Sequence, residues 1–240
     1  MTLATLSPER RAALTALAAD LRRVFGNGLR SVCAYAVDHS GGDTHSIALV
    51  DHLSFEHLAA CVPLSRGWEA NGLAVPLLLE EDEFRRTLDV FPLEYGDIIA
   101  HHIVIDGKDP FLDLVVSDDD LRRGCEQQAK SHLIHLRESY LETGGDPRKV
   151  SRLIAASASG FHRLLHNIVA LVDPDTPGSG HDDLADRAER HIGVRADLTR
   201  EVLGSASTGG PTTIADPTAL LSRYLHAVER VWEFVDAWKS

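Results

Sequence analysis

Two long helical runs meet at one break, Gly144-Gly145-Asp146-Pro147. That break dictates the architecture of the second half of the chain. Glycine ends a helix by supplying left-handed backbone; aspartate before proline starts the next, the acid as cap and the proline in the first turn. So short a connection forces the two helices to lie antiparallel. The first is predicted over 117–141. Ser117 caps it, and Asp118, Asp119 and Asp120 stand where the helix dipole favours acids. Cys125, Ala129, Leu133, Leu136 and Tyr140 mark its buried stripe. The second reaches residue 172, with a stripe of Val150, Ile154, Phe161, Leu165 and Ile168. One or two shorter helices follow within 181–203. A last helix opens at Asp216-Pro217 and carries Leu220, Leu221, Tyr224, Val228, Val231, Trp232 and Val235. It closes a bundle or serves as a dimer interface. The stretches 174–180 and 204–213 read as linker or loop.

The first half has a different grain, with short elements of mixed period. Ser7-Pro8-Glu9 starts a helix that Gly26-Asn27-Gly28 stops. Strands are predicted at 29–37 and 45–50, with a loop at 38–43 between them. Ser54 caps a short helix carrying Leu58 and Cys61, with Trp68 beyond Pro63. The apolar run 73–79 reads as a buried strand and 80–88 as a charged helix. The segment 97–105 is ambiguous, with a final strand favoured at 102–105 and closed by Asp106-Gly107. The order is therefore α-β-β-α-β-α-β and then a helical bundle, which places the class as α+β. The domains divide into 1–116 and 117–240.

The chain carries a net charge of −12. Nucleic acid is thereby excluded as a partner for the bulk field, since phosphate backbones need a basic surface. Cys33, Cys61 and Cys125 are odd in number and in no metal-binding spacing, which points to reduced thiols. No signal peptide or membrane span is visible. The expectation is a cytoplasmic protein with no membrane partner.

Residues 89–111 (DVFPLEYGDIIAHHIVIDGKDPF), 121–126 (LRRGCE) and 136–141 (LRESYL) resemble bacterial nucleotidyltransferase-domain proteins of the minimal type, followed by a helical domain like that of aminoglycoside nucleotidyltransferases. The similarity covers most of residues 8–173. It implies a mixed sheet with flanking helices followed by an all-α bundle. It also implies a catalytic signature: Gly-Ser at the end of the first strand, Asp-x-Asp on the second, and a carboxylate from a later strand. Magnesium takes hard oxygen ligands, so such a site needs those carboxylates. Here Ala36-Val37 stands for the Gly-Ser, His45 and Ile47 stand for the two aspartates, and 73–79 contains no acid. The expected reading is a nucleotidyltransferase-like protein without catalysis, a pseudoenzyme acting as a ligand-binding or regulatory module. Its ligand candidates are Ser40, Thr44, His45, Ser46 and His102, and no cofactor or metal is expected. The partners it admits are a nucleotide or other small molecule, and a protein or second copy of the chain. The alternative is an active enzyme with a displaced Mg²⁺ or Mn²⁺ site at Asp43 and His45, two residues apart on one strand face.

The histidines add little at this level. His132 and His135, and His162 and His166, form same-face pairs on the two long helices. Outside or at the border of the apolar stripes, they are expected to be exposed. His101-His102 reads as a cleft-lining or a hydrogen-bonding pair. No nucleophile elbow or phosphate-binding glycine loop occurs. Toxin nucleases that pair with minimal nucleotidyltransferases use an arginine followed, several residues on, by a histidine. Arg187 and His191 are too closely spaced to fit.

Overall fold

Ser7 accepts a hydrogen bond from the Arg10 amide and starts α1 (Pro8–Phe25), whose Leu14, Leu17, Leu21 and Phe25 are buried. The computed structural model describes residues 6–35, 43–173, 180–206 and 214–238. After α1 come β1 (Leu29–Tyr35), β2 (His45–Val50), α2 (Phe55–Ala70), β3 (Leu77–Glu80), α3 (Glu81–Arg86), α4 (Pro92–Ala100) and β4 (Ile103–Gly107). These elements belong to one compact unit, Met1–Val116; the other is Ser117–Ser240. The fold class is α+β. The strand order is β3-β2-β1-β4. β1 runs antiparallel to β2 and to β4, while β3 joins β2 in parallel.

The pleat gives this sheet two buried faces. Val32, Ala34, Ala48 and Val50 pack with α1 residues and with Cys61 and Trp68 of α2. On the other face, Cys33, Ile47 and Leu49 pack under Phe84, Tyr95, Ile98 and Phe111. Alternate residues of β2 therefore serve different cores.

Two sequence expectations are corrected here and one ambiguity is resolved. α2 does not end at Pro63 but runs through it to Ala70. The lost hydrogen bond is outweighed by burial of Trp68, whose indole N–H donates to Asp20 on α1 at 2.9 Å. The strand expected at 73–79 begins only at Leu77, because Pro76 offers no amide to the ladder; Leu73 makes an isolated bridge to Thr44. That strand is a half-exposed edge and extends to an acid, Glu80. Part of the ambiguous 97–105 segment belongs to a helix, α4, with Pro92 in its first turn and Tyr95 and Ile98 on its buried face. Gly96 inside it masks the helical signal.

The second unit contains α5 (Asp118–Thr143), α6 (Pro147–Val172), α7 (His181–Ile192), α8 (Ala196–Gly204) and α9 (Pro217–Ala237). Gly144 takes φ +62° at the end of α5, and the Asp146 carboxylate accepts from the Arg148 and Lys149 amides to open α6. Val150, Ile154, Phe161, Leu165 and Ile168 are all buried. α9 packs on α5 and α6, with Trp232 beneath the Lys130 ammonium at 3.6 Å. No helix among the described residues is long and apolar enough to cross a membrane.

His132 departs from the expected exposure. It is half-buried; its Nε2 shares a 2.7 Å hydrogen bond with the Tyr224 hydroxyl of α9, and its ring stacks on Phe161. Gly160 admits it, since a Cβ there would stand 3.2 Å from His132 Nδ1. Burial lowers the imidazole pKa to about 4, helped slightly by His135. Arg187 is also buried. It donates from Nε to Asp173 at 3.1 Å and from Nη2 to the Asp173 carbonyl at 2.7 Å. It ties the middle of α7 to the end of α6.

Candidate functional site

The candidate residues lie at the open end of β1 and β2, and the pleat sorts them. His45 pairs with Tyr35 across the ladder, their rings 5.8 Å apart. Ile47 pairs with Cys33, one step deeper on the same face. His45 is exposed, whereas Ile47 is 0% exposed. Above it the Phe84 ring lies 4.4 Å from Tyr95 and 5.2 Å from Phe111. The position that a paired-carboxylate site would use is thus the floor of an aromatic core. A carboxylate placed there would be desolvated with no cation to pair it.

Thr44 and Ser46 point the other way, into the core under α1 and α2. Each is 1% exposed, and among the described residues neither hydroxyl has a hydrogen-bond partner. Proposed from sequence as ligand contacts alongside His45, they are on the opposite face from it and closed to a ligand as the chain stands. His102 is likewise committed. Its Nδ1 lies 2.9 Å from the Ile99 carbonyl, its Nε2 3.2 Å from Asp109, and its ring meets Phe111 edge-on at 4.8 Å. Those contacts hold the α4–β4 corner. Ser40, Ala36 and Val37 lie outside the described residues. Asp43 is exposed before β2.

Two acids approach this face from elsewhere. Asp97 of α4 is near enough that its charge adds to burial in raising the Tyr35 phenol pKa. It also shares a 2.9 Å contact with His101 Nδ1. Asp109 adds to the dominant effect of burial on Cys33, whose thiol is pushed up to about 11. Asp97 went unnoticed as a candidate because its segment was ambiguous between helix and strand; Pro92 with the Tyr95–Ile98 spacing is the signal that could have found it. Glu80, the acid at the end of β3, is paired with Val50 at the opposite end of β2. Its Oε1 accepts from the Leu53 amide at 2.9 Å and contacts His52 at 2.9 Å.

The remaining chemistry is quiet. All three cysteines are buried and free. Burial raises the Cys125 thiol to about 12, so the nucleophilic thiolate is suppressed. Among the described residues, no three His, Cys, Asp or Glu side chains are gathered as a metal set. The sequence matches no protein-family model, and no curated protein matches it significantly.

Proposed function

We propose that the N-terminal unit is a nucleotidyltransferase-like domain that does not transfer nucleotides and acts as a ligand-binding or regulatory module. The observation that carries this reading is Ile47. It occupies a ligand position of the resembled signature, it is fully buried, and an aromatic core seals it. A two-metal reaction needs several carboxylates converging on one solvent-reached point. At the open end of this face the exposed groups are His45 and Asp43, with Tyr35 and Asp97 beside them. That rim offers hydrogen bonds and a ring surface, which suits holding a small polar molecule better than activating a phosphate.

Asp97 is the observation that favours the second reading, an active enzyme with a displaced site at Asp43 and His45. Incubation with labelled nucleoside triphosphates and Mg²⁺ or Mn²⁺ separates the two. The expected result is no label on the protein or on small-molecule acceptors. Label that appears, and disappears in Asp43→Ala, His45→Ala and Asp97→Asn, would establish the enzyme instead. Thermal shift with the same nucleotides tests them as ligands, and His45→Ala should abolish any rise.

A further inference from the structure

On the helical unit, α6, α7 and α8 enclose an open cavity of about 470 Å³ lined by Ala158, Ser159, His162, Arg163, His181 and Leu203, with Ala206 just beyond α8. Two imidazoles line it, His162 and His181, and a third, His166, lies beside His162. His162 and His166 are one turn apart on α6, their rings stacked at 6.2 Å. His181, the first residue of α7, brings its ring to 5.0 Å from His162. None of the three has a hydrogen bond or ion pair among the described residues. That sets them apart from His52, His101, His135 and His191, each of which faces a carboxylate.

We propose that His162, His166 and His181 form a binding site for a borderline divalent transition metal of the Zn²⁺ class, clasping α6 to the start of α7. The spacing is the first argument. Two imidazoles on one tetrahedral ion have ring centres about 5 Å apart, given metal–nitrogen distances near 2 Å. His162 and His181 already have that separation. A histidine pair at i and i+4 puts two nitrogens on one helix face, and a third nitrogen from another element leaves a fourth position for water. The nitrogens do not yet converge, consistent with no metal set among the described residues. The exposed His166 ring closes the set by rotating about its side-chain torsions.

Chemistry is the second argument. Metals take neutral imidazole. His162 is set back at the cavity wall, with the His181 and His166 rings on either side of it. Three clustered imidazoles repel one another when protonated, whereas one shared cation joins them. Imidazole nitrogens select Zn²⁺, Ni²⁺ or Co²⁺ over Mg²⁺ and Ca²⁺.

Calorimetry with Zn²⁺ and visible absorption with Co²⁺ on the full chain test this. The expected result is one ion per chain with a tetrahedral cobalt spectrum. Affinity should fall at least roughly tenfold in each of His162→Gln, His166→Ala and His181→Ala. Zn²⁺ should raise the melting temperature of the wild type but not of His181→Ala. The last two substitutions are at exposed positions, and circular dichroism verifies that they fold. The site is refuted by no binding at about 1 mM Zn²⁺, or by undiminished binding in the His166→Ala, His181→Ala double variant. Binding that needs His166 but not His181 refutes the clasp, and stabilisation by inorganic phosphate in place of Zn²⁺ refutes the metal.

Discussion

In the sheet unit the hydroxyls of Thr44 and Ser46 are buried and have no hydrogen-bond partner among the described residues. In the helical unit the Tyr224 hydroxyl is just as buried, yet His132 meets it at 2.7 Å and Ser157 reaches it as well. The difference is one of supply. Facing helices can bring a polar side chain from a neighbour, as α5 does for α9. The Thr44 and Ser46 hydroxyls instead lie on the sheet face packed with Ala, Val and Leu side chains. An orphaned hydroxyl costs about 1–3 kcal/mol, while a satisfied one contributes roughly 1. The same kind of deletion should therefore have opposite signs in the two units. Among the described residues the helical unit also leaves Asp183 Oδ2 and His191 Nε2 buried without hydrogen-bond geometry. Each has an opposite charge or acceptor close by, Arg187 Nη1 at 3.7 Å and Asp173 Oδ2 at 3.3 Å.

The largest effect expected is from Ile47→Asp. An unpaired carboxylate among Phe84, Tyr95 and Phe111 should cost more than about 4 kcal/mol, measured by urea unfolding. A variant that stays folded and binds Mn²⁺ would show that the aromatic seal is not a barrier to metal.

Next is the acid response of His132. Its folded pKa, about 4, lies below the ordinary 6.5. Above pH 6.5 the ring is neutral in both states and costs nothing. As pH falls from 6.5 toward 4, the unfolded chain takes up a proton that the folded chain refuses. Stability is lost across that window, by on the order of 3 kcal/mol at its foot. His132→Asn should flatten this part of the pH profile relative to wild type, and equal slopes in the two proteins would remove His132 from the account.

Smaller still is Tyr224→Phe. It deletes the hydroxyl and leaves His132 Nε2 bare, so stability should drop by about 1–2 kcal/mol. Ser46→Ala is the least and has the opposite sign, a gain of up to about 1 kcal/mol. Differential scanning calorimetry on both variants settles the comparison. A loss in Ser46→Ala would mean that its hydroxyl has a partner.

How much of this could be read from sequence depended on how local the information is. The bounds of β2 and the caps of α5, α6 and α9 follow from residues within a few positions of each feature. Pro63 misled because the force that carries α2 past it comes from Trp68 docking on Asp20 of α1. Gly96 hid α4, although Tyr95 and Ile98 had the spacing. For the candidate site, the strand carrying His45 and Ile47 was legible, and so was their placement two residues apart on one face. That Thr44 and Ser46 turn away from His45 follows from the period of two; that both faces are buried does not.

The sequence by itself determined the starts of α1, α5, α6 and α9 and the apolar stripe on each of α5, α6 and α9, because capping and periodicity act over one or two turns. Tertiary structure alone decided what meets that stripe and its borders: Phe84 and Phe111 over Ile47, Tyr224 against His132, His181 beside His162. Those pairings join residues distant in the chain, and the free energy that selects them is a property of the packed core, which no local window of sequence contains.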